Sequence, residues 1–188
     1  MSNNASEKSF KQNFGSGYDI VHIATHGRFE ADYYLQKPEY SLYTNLPFTI
    51  TKNPMQKVSL VMAGRNNLKI VNDSAKQEDD GLLSASEITQ LNAGTKKLVV
   101  LTACESGGGD VINSEGVFGM VRAFKMAGTD KLIISLWEVP DEQSIEMTNV
   151  FYKSLFRGQS IDKAFKFAQQ YMKKRYTPFY WGGFMLVE

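Results

Sequence analysis

Three short stretches of the chain are apolar without alternation: residues 18–25 (YDIVHIAT), 98–103 (LVVLTA) and 132–137 (LIISLW). Runs of this length, rich in branched side chains, predict strands buried on both faces. Between and after them, apolar positions recur at helical spacing. Residues 116–127 form one such helix, closed by Gly128. Residues 141–156 and 161–176 form two more, broken at 157–160, with Ser160 as the N-cap of the second. Residues 84–91 (SASEITQL) predict a short helix, because Ser84 followed by Glu87 is a capping box. Residues 58–63 (VSLVMA) and 68–71 (LKIV) flank Gly64-Arg65-Asn66-Asn67, a hairpin signal, and residues 72–80 read as a polar loop. A last strand is expected over 181–187 (WGGFMLV).

Strands alternating with helices predict an α/β fold with a mostly parallel central sheet. Residues 1–17 read as a flexible leader ending in Gly15-Ser16-Gly17, and 18–188 as the folded part. Residues 30–57 form a long aromatic, proline-punctuated connection, a length that is usually functional or mobile. No internal repeat is visible.

With 188 residues the chain is long enough for one domain with a sizeable core. A formal net charge of +1 gives no general attraction to nucleic acid or to anionic membranes. The single cysteine, Cys104, excludes an internal disulfide framework and fits a reducing, cytoplasmic setting. The N-terminal residues lack the apolar core of a signal peptide, and no apolar run approaches the roughly 20 residues of a membrane span.

The chemistry is expected at the carboxyl ends of strands. One predicted strand ends in Ala24-Thr25-His26-Gly27 and another in Thr102-Ala103-Cys104-Glu105. If these are parallel neighbours, about 4.8 Å apart, His26 and Cys104 reach the same edge. A thiolate attacking with an imidazole to take and return the proton needs that arrangement. The Gly27 and Cys104 amides are candidates for an oxyanion hole.

Each residue has a plainer alternative. A lone cysteine is more often an inert core residue, and His26 could be a turn histidine. His22 and His26 have the i, i+4 spacing of a helical zinc pair, but on a strand they are about 13 Å apart. His22 is therefore read as a hydrogen-bonded core histidine, and no metal or other cofactor is implied. Gly107-Gly108-Gly109-Asp110 lacks the further glycine or G-K-[ST] of a phosphate loop. Trp137 and Trp181 read as structural.

Taken in order, several segments resemble the CHAT domain. They are ATHG at 24–27, DGLLSASEI at 80–88, LTACESG at 101–107, SEG at 114–116, RAF at 122–124, SLWEVPD at 135–141, FYKSL at 151–155 and YWGGF at 180–184. CHAT domains are caspase-like and share a clan with caspases, separases and gingipains. The resemblance implies a three-layer caspase-like sandwich and a cysteine endopeptidase with a His–Cys dyad. His26 then matches the general base, Cys104 the nucleophile and Gly27 the oxyanion-hole glycine. Residues 135–141 follow the strand bordering the S1 pocket, where Glu138 or Asp141 would select a basic P1 side chain, unless Asp141 only caps the next helix.

The chain departs from the family pattern in three places. The strands expected before the histidine are missing, so it reads as the C-terminal portion of a domain from a longer parent. Residues 32–55 read as an insertion, and Ser114 stands where many relatives have glycine. The short stretch after Cys104 leaves no room for an excisable linker, so a single-chain enzyme is expected. The implied partners are a protein substrate, N-terminal TPR repeats or another regulatory region, and a second copy pairing through a sheet edge. Two functions are carried forward: a protease acting in bacterial defence or cell death, and a caspase-like scaffold that binds partners without turnover.

Overall fold

A computed structural model describes residues 5–29, 39–40, 47–48, 54–64, 79–94, 96–105 and 114–188. Its centre is three parallel strands, β1 (Ile20–Phe29), β6 (Leu98–Glu105) and β7 (Lys131–Ser135). Antiparallel strands flank them: β4 (Val58–Val61) and β5 (Leu82–Ser84) beyond β1, and β8 (Phe184–Val187) beyond β7. The spatial order is β5-β4-β1-β6-β7-β8, so the sheet is mixed, with its parallel pairs in the middle. A separate two-stranded ladder joins β2 (Glu39–Tyr40) to β3 (Pro47–Phe48), and a 3-10 turn spans Pro54–Gln56. The rest of the expected 32–55 insertion lies outside the described residues.

Helices cover both faces of the sheet, giving the predicted α/β sandwich. On one face lie α1 (Glu7–Phe14), α2 (Ala85–Ile88) and α3 (Ser114–Met126). Phe14, Ile88, Met120 and Phe124 from these helices bury Ile23, Leu60, Leu83, Val99, Leu101 and Leu132. On the other face lie α4 (Asp141–Leu155), α5 (Ile161–Lys173) and α6 (Pro178–Trp181). There Met147, Phe151, Phe165 and Met172 bury Leu98, Val100, Ile133 and Phe184. The α2 capping box forms as its sequence predicts: the Glu87 amide donates to the Ser84 hydroxyl, and the Ser84 amide to the Glu87 carboxylate. Ser160 caps α5, and Gly128 ends α3 with a positive φ of 95° that only glycine adopts cheaply.

Three expectations change. The flexible-leader reading of 1–17 fails over Glu7–Phe14, which is α1 packed on the core. Its apolar content is small, but tertiary contacts hold it. Phe14 is 2% exposed, the Glu7 carboxylate accepts from the Gly81 amide at 2.8 Å, and Lys11 lies 2.6 Å from Glu7 and 2.9 Å from Glu87. Burial pushes the Glu7 carboxyl above its usual range despite Lys11 and the Gly81 amide. Second, the expected hairpin partner of β4, residues 68–71, lies outside the described residues. Ser59 and Leu60 are instead paired on both sides, with β1 and β5, which leaves them no free edge. Third, β1 does not stop before His26 but runs on to Phe29, because Gly27, Arg28 and Phe29 pair with Leu60, Ser59 and Val58.

Candidate functional site

β1 and β6 lie side by side and parallel, in unbroken register from Ile20↔Leu98 to Gly27↔Glu105. Within that ladder His26 stands opposite Cys104. Two apolar segments far apart in the chain make this pairing: β6 buries Leu98, Val99, Val100 and Leu101 on both faces as expected, whereas β1 buries Ile23 on one face and leaves the other largely open. Strand alternation gives each position its face. Ile20, Leu98 and Val100 pack in the core beneath α4 and α5, so positions 22, 24, 26, 102 and 104 share that face.

The helical cover thins along this face. Ile20 is half-buried, whereas His22, Ala24 and His26 are exposed. Tyr152 of α4 reaches β1 here, its ring centroid 5.7 Å from that of His22. His22 Nε2 is 3.3 Å from the Thr102 hydroxyl. The hydrogen bond read from sequence is therefore present, but His22 is not a core residue, because α4 covers it only in part. Its partial burial lowers its pKa below the usual histidine range. The Tyr152 hydroxyl is buried with no hydrogen-bond partner among the described residues, and burial pushes its pKa up to about 12. Sequence reasoning missed Thr102 and Tyr152. Alternation from Val100 could have found Thr102, while Tyr152 needed the packing of α4 on the sheet.

Gly27 has register partners on both sides, Leu60 and Glu105. A small cleft of about 50 Å³ opens beside it on the α3 side, between Arg28, Ser59, Val117 and Ser135. β7 ends at Ser135 on the same sheet edge as the ends of β1 and β6, and the loop to α4 is well anchored there. Val139 is 1% exposed, the Leu136 amide donates to the Gly183 carbonyl at 2.7 Å, and Trp137 Nε1 donates to the Phe179 carbonyl at 2.9 Å. Glycine is required at 183, where a Cβ would sit 2.7 Å from the Val139 side chain and 3.0 Å from Trp137. Trp181 Nε1 donates to the Tyr176 carbonyl, so both tryptophans make structural contacts.

Glu138 and Asp141 are exposed on this loop and at the start of α4. Pro140 occupies the N-cap, with Asp141 in the first turn, where a carboxylate complements the helix dipole. Among the described residues no three His, Cys, Asp or Glu side chains are grouped as metal ligands would be, and no helix is long and apolar enough to cross a membrane.

A model of the CHAT domain, a caspase-like family, matches residues 1–188, the whole chain. Two curated relatives are similar over part of it. Human (Homo sapiens) tetratricopeptide repeat protein 28 is 33% identical over 110 residues, and the mouse (Mus musculus) protein of the same name is 34% identical over 110 residues. Each match covers 56% of this chain but 4% of the relative, so the chain corresponds to a small part of a much longer protein.

Proposed function

We propose that this chain, which belongs to the CHAT domain family, is a cysteine endopeptidase that cleaves a protein substrate through His26 and Cys104. The observation that carries the reading is the ladder register: His26 opposite Cys104 in adjacent parallel strands, with His26 exposed on a face the helices leave open. In this reading His26 takes the thiol proton, and the Cys104 thiolate attacks the scissile carbonyl carbon. The imidazolium returns the proton to the leaving amine. The same imidazole then deprotonates a water that hydrolyses the thioester.

The Cys104 and Gly27 amides hold the oxyanion. Because Gly27 is in register with strands on both sides, its N–H serves only where the ladder opens at that end. Glu138 and Asp141, exposed beyond β7, favour a basic P1 side chain. Tetratricopeptide repeats in the parent protein are the proposed regulatory neighbours, in keeping with the names of the relatives.

The test is the rate of iodoacetamide labelling against pH for wild type and His26→Ala, read by intact mass. There is one thiol, so the signal has one source. A labelling pKa well below the usual value of about 8.5, rising when His26 is removed, is the expected result. An ordinary value that ignores His26 would sink the dyad and leave a scaffold without turnover.

A further inference from the structure

The seam between α4 and α5 faces away from the sheet and forms an open groove of about 630 Å³. Each helix contributes one stripe to it. On α4 and its continuation these are Val150, Lys153, Ser154 and Arg157, at i, i+3, i+4 and i+7. On α5 the stripe begins with Lys163, Lys166 and Phe167 and ends at Tyr171. The floor is thus apolar, from Val150, Phe167 and Tyr171, and cations stand on both rims.

Folding does not account for this composition. Lys153, Arg157, Lys163 and Lys166 are exposed, and none makes an ion pair among the described residues. Lys163 sits in the first turn of α5, where the helix dipole disfavours a cation. The one acid of that turn, Asp162, is engaged with Lys131 at 2.9 Å. Over residues 150–175 the sequence has seven basic side chains and one acidic, in a chain of net charge +1. Phe167 remains 54% exposed in the middle of this field. A solvated helix face needs neither that aromatic nor a single sign of charge.

We propose that the α4–α5 groove docks an acidic amphipathic helix of a partner protein, its apolar stripe on Phe167 and Val150 and its carboxylates against the four cations. Charge complementarity selects an acidic occupant, and the apolar floor selects an amphipathic one. Nucleic acid fits less well. The Tyr171 ring is already faced by the Arg175 guanidinium at 4.1 Å, which leaves Phe167 as the free stacking surface.

The probe is a fluorescent Glu-rich peptide with leucines at i, i+3, i+4 and i+7, titrated with the full chain and read by anisotropy. The reference variants are Lys163→Glu with Lys166→Glu, Lys153→Glu with Arg157→Glu, and Phe167→Ala. All alter exposed positions, and circular dichroism and melting check that they fold. Each charge-reversed pair is expected to weaken binding at least about tenfold, with a smaller salt dependence. Phe167→Ala is expected to weaken it about threefold or more and leave the salt dependence unchanged.

Cys104 labelling is expected to be unchanged in all three, so this result stands apart from the fate of the dyad. The proposal is overturned if the peptide fails to bind or the variants bind as wild type. It is equally overturned if a serine-for-leucine peptide, oligothymidylate or phosphatidylserine vesicles bind as tightly as the probe, since the groove would then be a general polyanion surface.

Discussion

On the α3 side of the sheet the helices cover the strands as far as Leu101 and Ile134, both at most 3% exposed; on the α4 side cover over β1 gives out at His22. Neighbours on one strand therefore have opposite fates. Ile23 is 7% exposed while His22 and Ala24 on either side of it are open, and Leu101 is buried beside a half-buried Thr102. The closed face holds the fold together. The open face carries His22, with Thr102 and Tyr152 beside it, and it is the face on which positions 26 and 104 fall. A single sheet thus separates the two demands by strand alternation alone.

The sharpest way to break the closed face is Phe124→Ala. Phe124 is fully buried, with its ring centroid 6.0 Å from that of Phe14. Loss of transfer energy and the residual cavity are expected to cost about 3–5 kcal/mol in urea unfolding. A cost under about 1 kcal/mol would mean that the α3 face is loosely packed.

Next is the clamp that ties α1 to this face. Lys11→Met keeps most of the apolar stem but strips the cation from Glu7, which is 2% exposed, and from Glu87. Removing one partner of a buried pair costs about 3–5 kcal/mol, and a surface pair about 0–1. With Lys11 itself 24% exposed, about 2 kcal/mol is expected. Equal stability of the two proteins would return α1 to the status of an appended leader.

On the open face the expected effect is the smallest, and it is a matter of pH. The folded state holds His22 below its usual pKa near 6.5 because burial disfavours the charged ring. Between the lowered value and 6.5 the unfolded chain binds more protons, so stability rises with pH. The full contribution is present above 6.5 and is lost as pH falls toward and through the folded value. Wild type is expected to lose stability more steeply than His22→Gln over that window, measured by chemical unfolding at several pH values. Parallel curves would show that the open face leaves His22 as free as in the unfolded chain.

Much of this architecture was legible before the structure. Residues 98–103 and 132–137 could bury continuous apolar runs only as central strands, and Ser84 with Glu87 marked the start of α2 from local sequence alone. What escaped has physical causes. α1 carries only two apolar residues, Phe10 and Phe14, and it is fixed by Lys11 and Glu7 reaching Glu87 and Gly81, which no local pattern encodes. β5 is three residues long, too short for a period to show. Gly27 read as a terminator, yet β4 pairs with it and carries β1 to Phe29. Likewise the juxtaposition of positions 26 and 104 was conditional on parallel neighbours, whereas the half-open state of His22 depends on where α4 crosses the sheet.

The long parallel ladder also sets an order of events during synthesis. Every register pair of β1 with β6, from Ile20↔Leu98 to Gly27↔Glu105, spans 78 residues. At roughly 5–20 residues per second, β1 waits about 4–16 s after leaving the ribosome before its partner emerges. During that interval an apolar strand with no ladder on its β6 side is exposed to the cell. Contacts so distant in sequence also close late and slow the search. The strand pair that brings His26 beside Cys104 therefore forms only after β4 and β5 have emerged, and until then β1 is open to chaperone capture or misassociation on that side.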